Sequence, residues 1–134
     1  MTAFSGLCAF PITPTSNEGR VNSDALCRLL SRLVDADVDS IGLLGSTGAY
    51  MYLTCEERRR AAEIALQEIN GLKPVVVGVS AMRTDDATKI AQHARSVGAA
   101  AGLLSPVSYT PLSEDEVFEH FEAVARESRL PIII

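Results

Sequence analysis

The sequence contains no tryptophan, and only 5% of its residues are aromatic, a poor supply for an all-β sandwich. Cysteine is scarce as well. Cys8, Cys27 and Cys55 form an odd count at wide, irregular spacing, which is neither a disulfide framework nor a C-x-x-C metal half-site. They read as free thiols of a reducing compartment, with no metal. Positive charge is in deficit: 12 Lys and Arg stand against 17 Asp and Glu, for a net charge of −5. A surface of that sign repels phosphate backbones and anionic lipid, which argues against nucleic-acid and membrane partners. The first cation is Arg20, so the basic start of a secretory signal is missing. No apolar run approaches the ~18–20 residues of a membrane span. The expectation is a soluble, cytoplasmic chain.

What is present is apolar and aliphatic. Of the 134 residues (14.3 kDa), 47% are hydrophobic and 22% charged, with a mean hydropathy of +0.16. That balance is globular, and the length suits one domain spanning residues 1–134. Two hydrophobic periods alternate along the chain. Leu7–Ile12, Ser40–Leu44, Pro74–Val79, Gly102–Ser105 and Leu130–Ile134 read as short buried strands. Between them run four amphipathic helical stripes. Leu26, Leu29, Leu30, Leu33 and Val34 form the first, entered at Asn22 or Ser23. Ile64, Ala65 and Ile69 form the second, opened by a Thr54/Glu57 capping box and ended by Gly71. Ala87, Ile90, Ala91, Ala94 and Val97 form the third, capped by Thr84 and stopped at Gly98. Val117, Phe118, Phe121, Val124 and Ala125 form the fourth, behind a Ser113/Glu116 box.

This order, β-α-β-α-β-α-β-α-β at a period of roughly thirty residues, marks right-handed βαβ units on a parallel sheet. Two architectures fit it. One is a flavodoxin-like doubly wound sheet; the other is the N-terminal half of a (βα)8 TIM barrel, about four and a half units of a fold that needs ~250 residues. Periodicity does not choose between them, although an apolar strand left bare at residue 134 favours the half-barrel.

In both architectures chemistry sits at the C-terminal ends of the strands. The turn after the second strand reads Gly45-Ser46-Thr47-Gly48-Ala49-Tyr50. Its glycines admit close approach of a ligand, and its hydroxyls and N–H groups suit a carboxylate or phosphate; it also reads as a tight turn with hydroxyls capping locally. Beyond the fourth strand, the prolines of Ser105-Pro106-Val107-Ser108-Tyr109-Thr110-Pro111 stiffen a loop that could hold out Tyr109 as a phenol donor; on the residues alone it reads more readily as a surface turn with a packed Tyr. The loop around Pro11-Ile12-Thr13-Pro14 is similarly rigid but offers no obvious reactive group. His93 and His120 fall within helices. The two lysines, Lys73 before the third strand and Lys89 on a helix, lie away from the functional edge.

Taken together, Gly6–Pro14, Gly45-Ser46-Thr47-Gly48 with Leu53-Thr54-Cys55-Glu56-Glu57-Arg58, Pro74–Val79, Gly98–Gly102 and Ser105–Pro111 resemble the dihydrodipicolinate synthase / N-acetylneuraminate lyase family. The resemblance covers essentially the whole chain. It implies a (βα)8 class I aldolase, usually a homotetramer, that forms a Schiff base between pyruvate and a lysine without a cofactor. It further implies that Gly45, Ser46, Thr47 and Gly48 bind the carboxylate of pyruvate or a related 2-keto acid. Ser46 would join a proton relay, and Tyr109 would reach into a neighbouring subunit's site.

Two departures stand out. Ala49 occupies a position where the family usually has Glu, and the bulky Tyr50 follows it. In addition, the family's relay tyrosine and Schiff-base lysine belong beyond a strand like Leu130–Ile134. The expectation is therefore a truncated or interrupted piece of such an enzyme, inactive by itself. The alternative is a non-catalytic half-barrel that binds a small carboxylate or pairs with another half-barrel.

Overall fold

A computed structural model describes residues 4–134. Its elements are β1 (Cys8–Ala9), α1 (Ser23–Asp35), β2 (Ser40–Leu43), a 3-10 turn at Tyr50–Tyr52, α2 (Cys55–Ile69), β3 (Val75–Gly78), α3 (Thr84–Ser96), β4 (Ala101–Leu103), α4 (Glu114–Ser128) and β5 (Ile132–Ile133). The strands are shorter than the apolar runs that contain them. In β1 the reason is local: Pro11 offers no N–H to a longer ladder, and Leu7 and Ile12 lie exposed outside the strand.

All pairings are parallel, in the spatial order β1-β2-β3-β4-β5. This order decides between the two architectures. A doubly wound sheet reverses its strand order and covers both faces with helices, whereas here each strand pairs with its predecessor. Successive helices also pack against one another, α1 on α2, α2 on α3 and α3 on α4, which places them in one layer. The sheet is the N-terminal half of a TIM barrel, and the flavodoxin-like alternative is set aside.

Alternation along the strands assigns the faces. Ile41, Leu43, Val75, Val77 and Val79 join Leu26, Leu30, Ala61, Ala65, Ile69, Ile90, Ala91 and Val124 in the core between sheet and helices. Ser40, Gly42, Val76 and Gly78 alternate with them and face the opposite side. β2 and β3 are buried throughout, as expected of central parallel strands.

The helix starts follow local chemistry, with two differences from the sequence expectation, and the buried face of α4 is a third. Asn22 caps α1 by accepting from the Ala25 N–H at 3.0 Å. The Ser113/Glu116 box forms in both directions on α4. On α2 only half the box forms: Thr54 accepts from the Glu57 N–H, while the Glu57 carboxylate accepts instead from the Val21 N–H at 2.6 Å. Arg83, not Thr84, is the N-cap residue of α3, because the Thr84 hydroxyl is engaged with His120 Nδ1 at 2.9 Å. On α4 the buried face runs through Val124 and Ser128, so Phe118 is left 66% exposed and Ala125 lies on the outside. No helix among the described residues is long and apolar enough to cross a membrane.

Candidate functional site

The turn that follows β2 is built under backbone constraint. Leu44 has φ +57° and Ala49 has φ +54°, left-handed conformations that non-glycine residues adopt at a cost of about 1–2 kcal/mol each. Leu44 is nonetheless fully buried, so its side chain anchors the bend while its backbone ends the strand. Gly45-Ser46-Thr47-Gly48 lies between these two residues, closed by an Ala49 N–H to Ser46 carbonyl bond of 3.0 Å. Ser46 and Thr47 are exposed at the C-terminal edge of the sheet. Neither their N–H groups nor their hydroxyls have a hydrogen-bond partner among the described residues. Two adjacent N–H donors and two hydroxyls carried on one exposed turn can hold a small anion.

Three neighbours shape the turn, and the sequence reading assigned a role to none of them. The Phe10 ring lies where a Cβ on Gly42 or Gly45 would be, and so forms a floor beneath the turn. Thr13 Oγ1 lies 3.2 Å from where a Cβ on Gly48 would be, and it is buried without a partner. The glycines at 42, 45 and 48 were the available signal, since each makes room for one of these contacts. The third neighbour is Arg58. It falls on the buried stripe of α2 with Ala62, Ala65 and Ile69, where a charged residue is the anomaly that marks it. Its Nη2 donates to the Gly78 carbonyl at 3.1 Å, and its guanidinium carbon stands 5.0 Å from the Tyr50 ring centroid. Burial lowers its pKa from the ordinary value.

The next two strand ends are tied together. Buried Ser80 accepts from the Ser105 N–H at 2.8 Å, and the Val79 N–H donates to the Leu103 carbonyl at 2.9 Å. Beyond them the 105–112 loop carries Tyr109 outward, 93% exposed. Its hydroxyl has no partner among the described residues, and the structure does not bring it onto Ser46. An open groove of about 790 Å³ runs between this loop and α4, lined in part by Met82, Tyr109, Leu112 and His120. It does not include the Gly45–Gly48 turn.

The remaining titratable groups are held elsewhere. Lys73 pairs with Asp37 at 2.5 Å at the opposite edge of the sheet. Lys89 is exposed on α3, 3.8 Å from Asp85. His93 Nε2 lies 2.8 Å from Glu63 Oε1. His120 is half-buried, and desolvation lowers its pKa. Cys8, Cys27 and Cys55 are free thiols, and burial raises the pKa of Cys27. Among the described residues no group of three or more His, Cys, Asp or Glu gathers to hold a metal.

Comparison with known proteins places this geometry in context. A sequence profile described as the Dihydrodipicolinate synthetase family matches residues 3–134. The 4-hydroxy-tetrahydrodipicolinate synthase of Bacillus subtilis is 31% identical over 131 residues, covering 98% of this chain and 45% of that protein. A crystal structure of dihydrodipicolinate synthase from Agrobacterium tumefaciens superposes with a TM-score of 0.95 at 53% identity, covering 98% of this chain and 44% of that one. A prophage protein of Escherichia coli K12 belonging to the dihydrodipicolinic acid synthase family, solved in complex with pyruvate, gives 0.91 at 28% identity over 96% and 43% of the two chains. The chain spans less than half the length of these relatives.

Proposed function

The chain belongs to the dihydrodipicolinate synthetase family, and from that premise we propose that it supplies the keto-acid carboxylate site of a class I lyase or aldolase. The Ser46 and Thr47 N–H groups, with the Thr47 hydroxyl, receive the carboxylate of pyruvate or a related 2-keto acid. That contact orients the adjacent C2 carbonyl for attack by an amine, which expels water and leaves an imine. Ser46 Oγ passes protons during that exchange, and the outward Tyr109 completes the relay in a neighbouring copy of the chain, within a homodimer or homotetramer. No cofactor takes part. Ala49 and Tyr50 shape the mouth and so bear on which second substrate enters. Residues 1–134 act as one partial-barrel domain in the cytoplasm.

The observation that carries this reading is the pair of unpartnered N–H donors on a constrained turn, at the C-terminal edge of a sheet in barrel order. The relative solved with pyruvate supports the choice of ligand. Neither lysine supports catalysis by these residues alone, because Lys73 is paired at the opposite edge and Lys89 stands out on α3. We therefore assign the imine-forming lysine and a second tyrosine to polypeptide other than these 134 residues. The same observation favours, for the chain by itself, a carboxylate-binding half-barrel without turnover.

Titrating the ¹⁵N-labelled chain with pyruvate tests this. Saturable shifts are expected at the Ser46 and Thr47 amides, with Thr47→Val binding about three- to tenfold more weakly for loss of one hydrogen bond. Borohydride reduction in the presence of pyruvate is expected to add no mass. Absence of saturable binding would sink the carboxylate site, and a reduced adduct on Lys73 or Lys89 would sink the assignment of the amine.

A further inference from the structure

Arg58 is a buried cation, 5% exposed, with no carboxylate partner among the described residues. Its protein contacts are the Gly78 carbonyl and the face of Tyr50, and its Nε is buried without a partner. Desolvating a guanidinium for one neutral hydrogen bond and one aromatic face is a poor exchange for stability alone. Its position gives the arrangement a purpose. Tyr50 directly follows Ala49, the left-handed residue that closes the turn. Gly78 abuts the other end, because a Cβ there would overlap the Leu44 carbonyl, and Leu44 is the left-handed residue that opens the turn. Through one hydrogen bond and one ring contact, Arg58 therefore reaches both ends of a segment whose backbone would relax if released.

We propose that Arg58 is a positioning residue that clamps the Leu44–Tyr50 segment in the conformation presenting the Ser46 and Thr47 N–H groups. The proposal rests on the carboxylate reading of that turn and adds what holds it ready. An unclamped turn samples other conformations, and affinity falls in proportion to the fraction that remains competent. If about nine-tenths of the population relaxes, pyruvate binds about tenfold more weakly.

The test compares the wild-type chain with Arg58→Met, Arg58→Lys and Tyr50→Leu, reading ¹⁵N order parameters from Ser46 to Ala49, exchange of the hydrogen-bonded Ala49 amide, and pyruvate affinity. Arg58→Met and Tyr50→Leu are expected to lower the turn order parameters from the rigid range near 0.85 toward 0.6. Both should speed Ala49 exchange and weaken pyruvate about tenfold, while amides of α3 and α4 keep their protection. Arg58→Lys, which retains a cation over Tyr50 and one donor toward Gly78, is expected to recover part of each effect. Unchanged turn dynamics in folded Arg58→Met or in folded Tyr50→Leu would overturn the clamp. So would loss of protection in α3 and α4 in step with the turn. Should the wild-type chain bind no pyruvate, the keto-acid reading falls, and the order parameters still decide whether Arg58 holds the turn.

Discussion

Gly78 is predicted to be the least replaceable glycine of the sheet, for a reason separate from backbone freedom. It ends β3 in ordinary extended geometry, so alanine suits its φ and ψ. The obstacle is the left-handed Leu44, which turns its carbonyl against the Gly78 Cα. A methyl there would overlap the Leu44 oxygen and lie 2.7 Å from the Leu44 carbonyl carbon. Ordinary carbon–carbon contact begins near 3.5 Å, so β2 and β3 would have to part by about 1 Å. Both groups are backbone, Gly78 in its ladder with β4 and Leu44 directly after the last paired residue of β2, and no side-chain rotation relieves the clash. Overpacking of this kind costs about 2–3 kcal/mol, which for a chain of this length lowers Tm by about 7–11 °C. Gly42→Ala is the internal comparison. The added methyl meets the Phe10 ring, which is 42% exposed and free to swing aside, so the expected cost is about 1 kcal/mol, or some 3–4 °C. Thermal melts followed by circular dichroism at one protein concentration measure both. Wild-type-like melting of Gly78→Ala, or Gly42→Ala melting below it, would refute the backbone-clash argument.

Two further predictions concern the helices. Ser113→Ala removes the hydroxyl that accepts from the Glu116 N–H, and urea unfolding should show a loss of about 1 kcal/mol, whereas Ser113→Asp should restore most of it. Burial depresses the pKa of His120 below its ordinary value near 6.5, so the unfolded chain takes up a proton there before the folded one does. His120 thus contributes stability that is complete above about pH 6.5 and lost as pH falls toward the folded value. His120→Gln should flatten the decline in stability between pH 7 and 5. Parallel wild-type and variant curves over that window would show that His120 does not drive it.

Much of the fold was legible because its signals are local. A switch from apolar runs to 3.6-residue stripes announces each βα unit, and Asn22 and Ser113 cap their helices as their chemistry dictates. The failures occur where a local group found a distant partner. Glu57 left its own box for the Val21 N–H, and Thr84 turned to His120. Strand order was invisible for the same reason: β-α alternation says which elements exist and leaves open which strands touch. At the site, the Gly45–Gly48 turn could be read from its glycines and hydroxyls. Phe10, Thr13 and Arg58 could not, since each acts through a contact 20 or more residues away. Only the misplaced charge of Arg58 on an apolar stripe pointed to it.

The unreversed strand order also governs how the chain can assemble itself. Among the described residues each strand after β1 pairs with the one made just before it, so β2 to β5 can each add to a strand that is already present. Loop closure is limited to one βα unit at a time, which keeps the entropy of each step small. Growth of this sheet from the amino end toward the carboxyl end is thus open to the nascent polypeptide as it emerges, with each new βα unit docking on a strand that already exists.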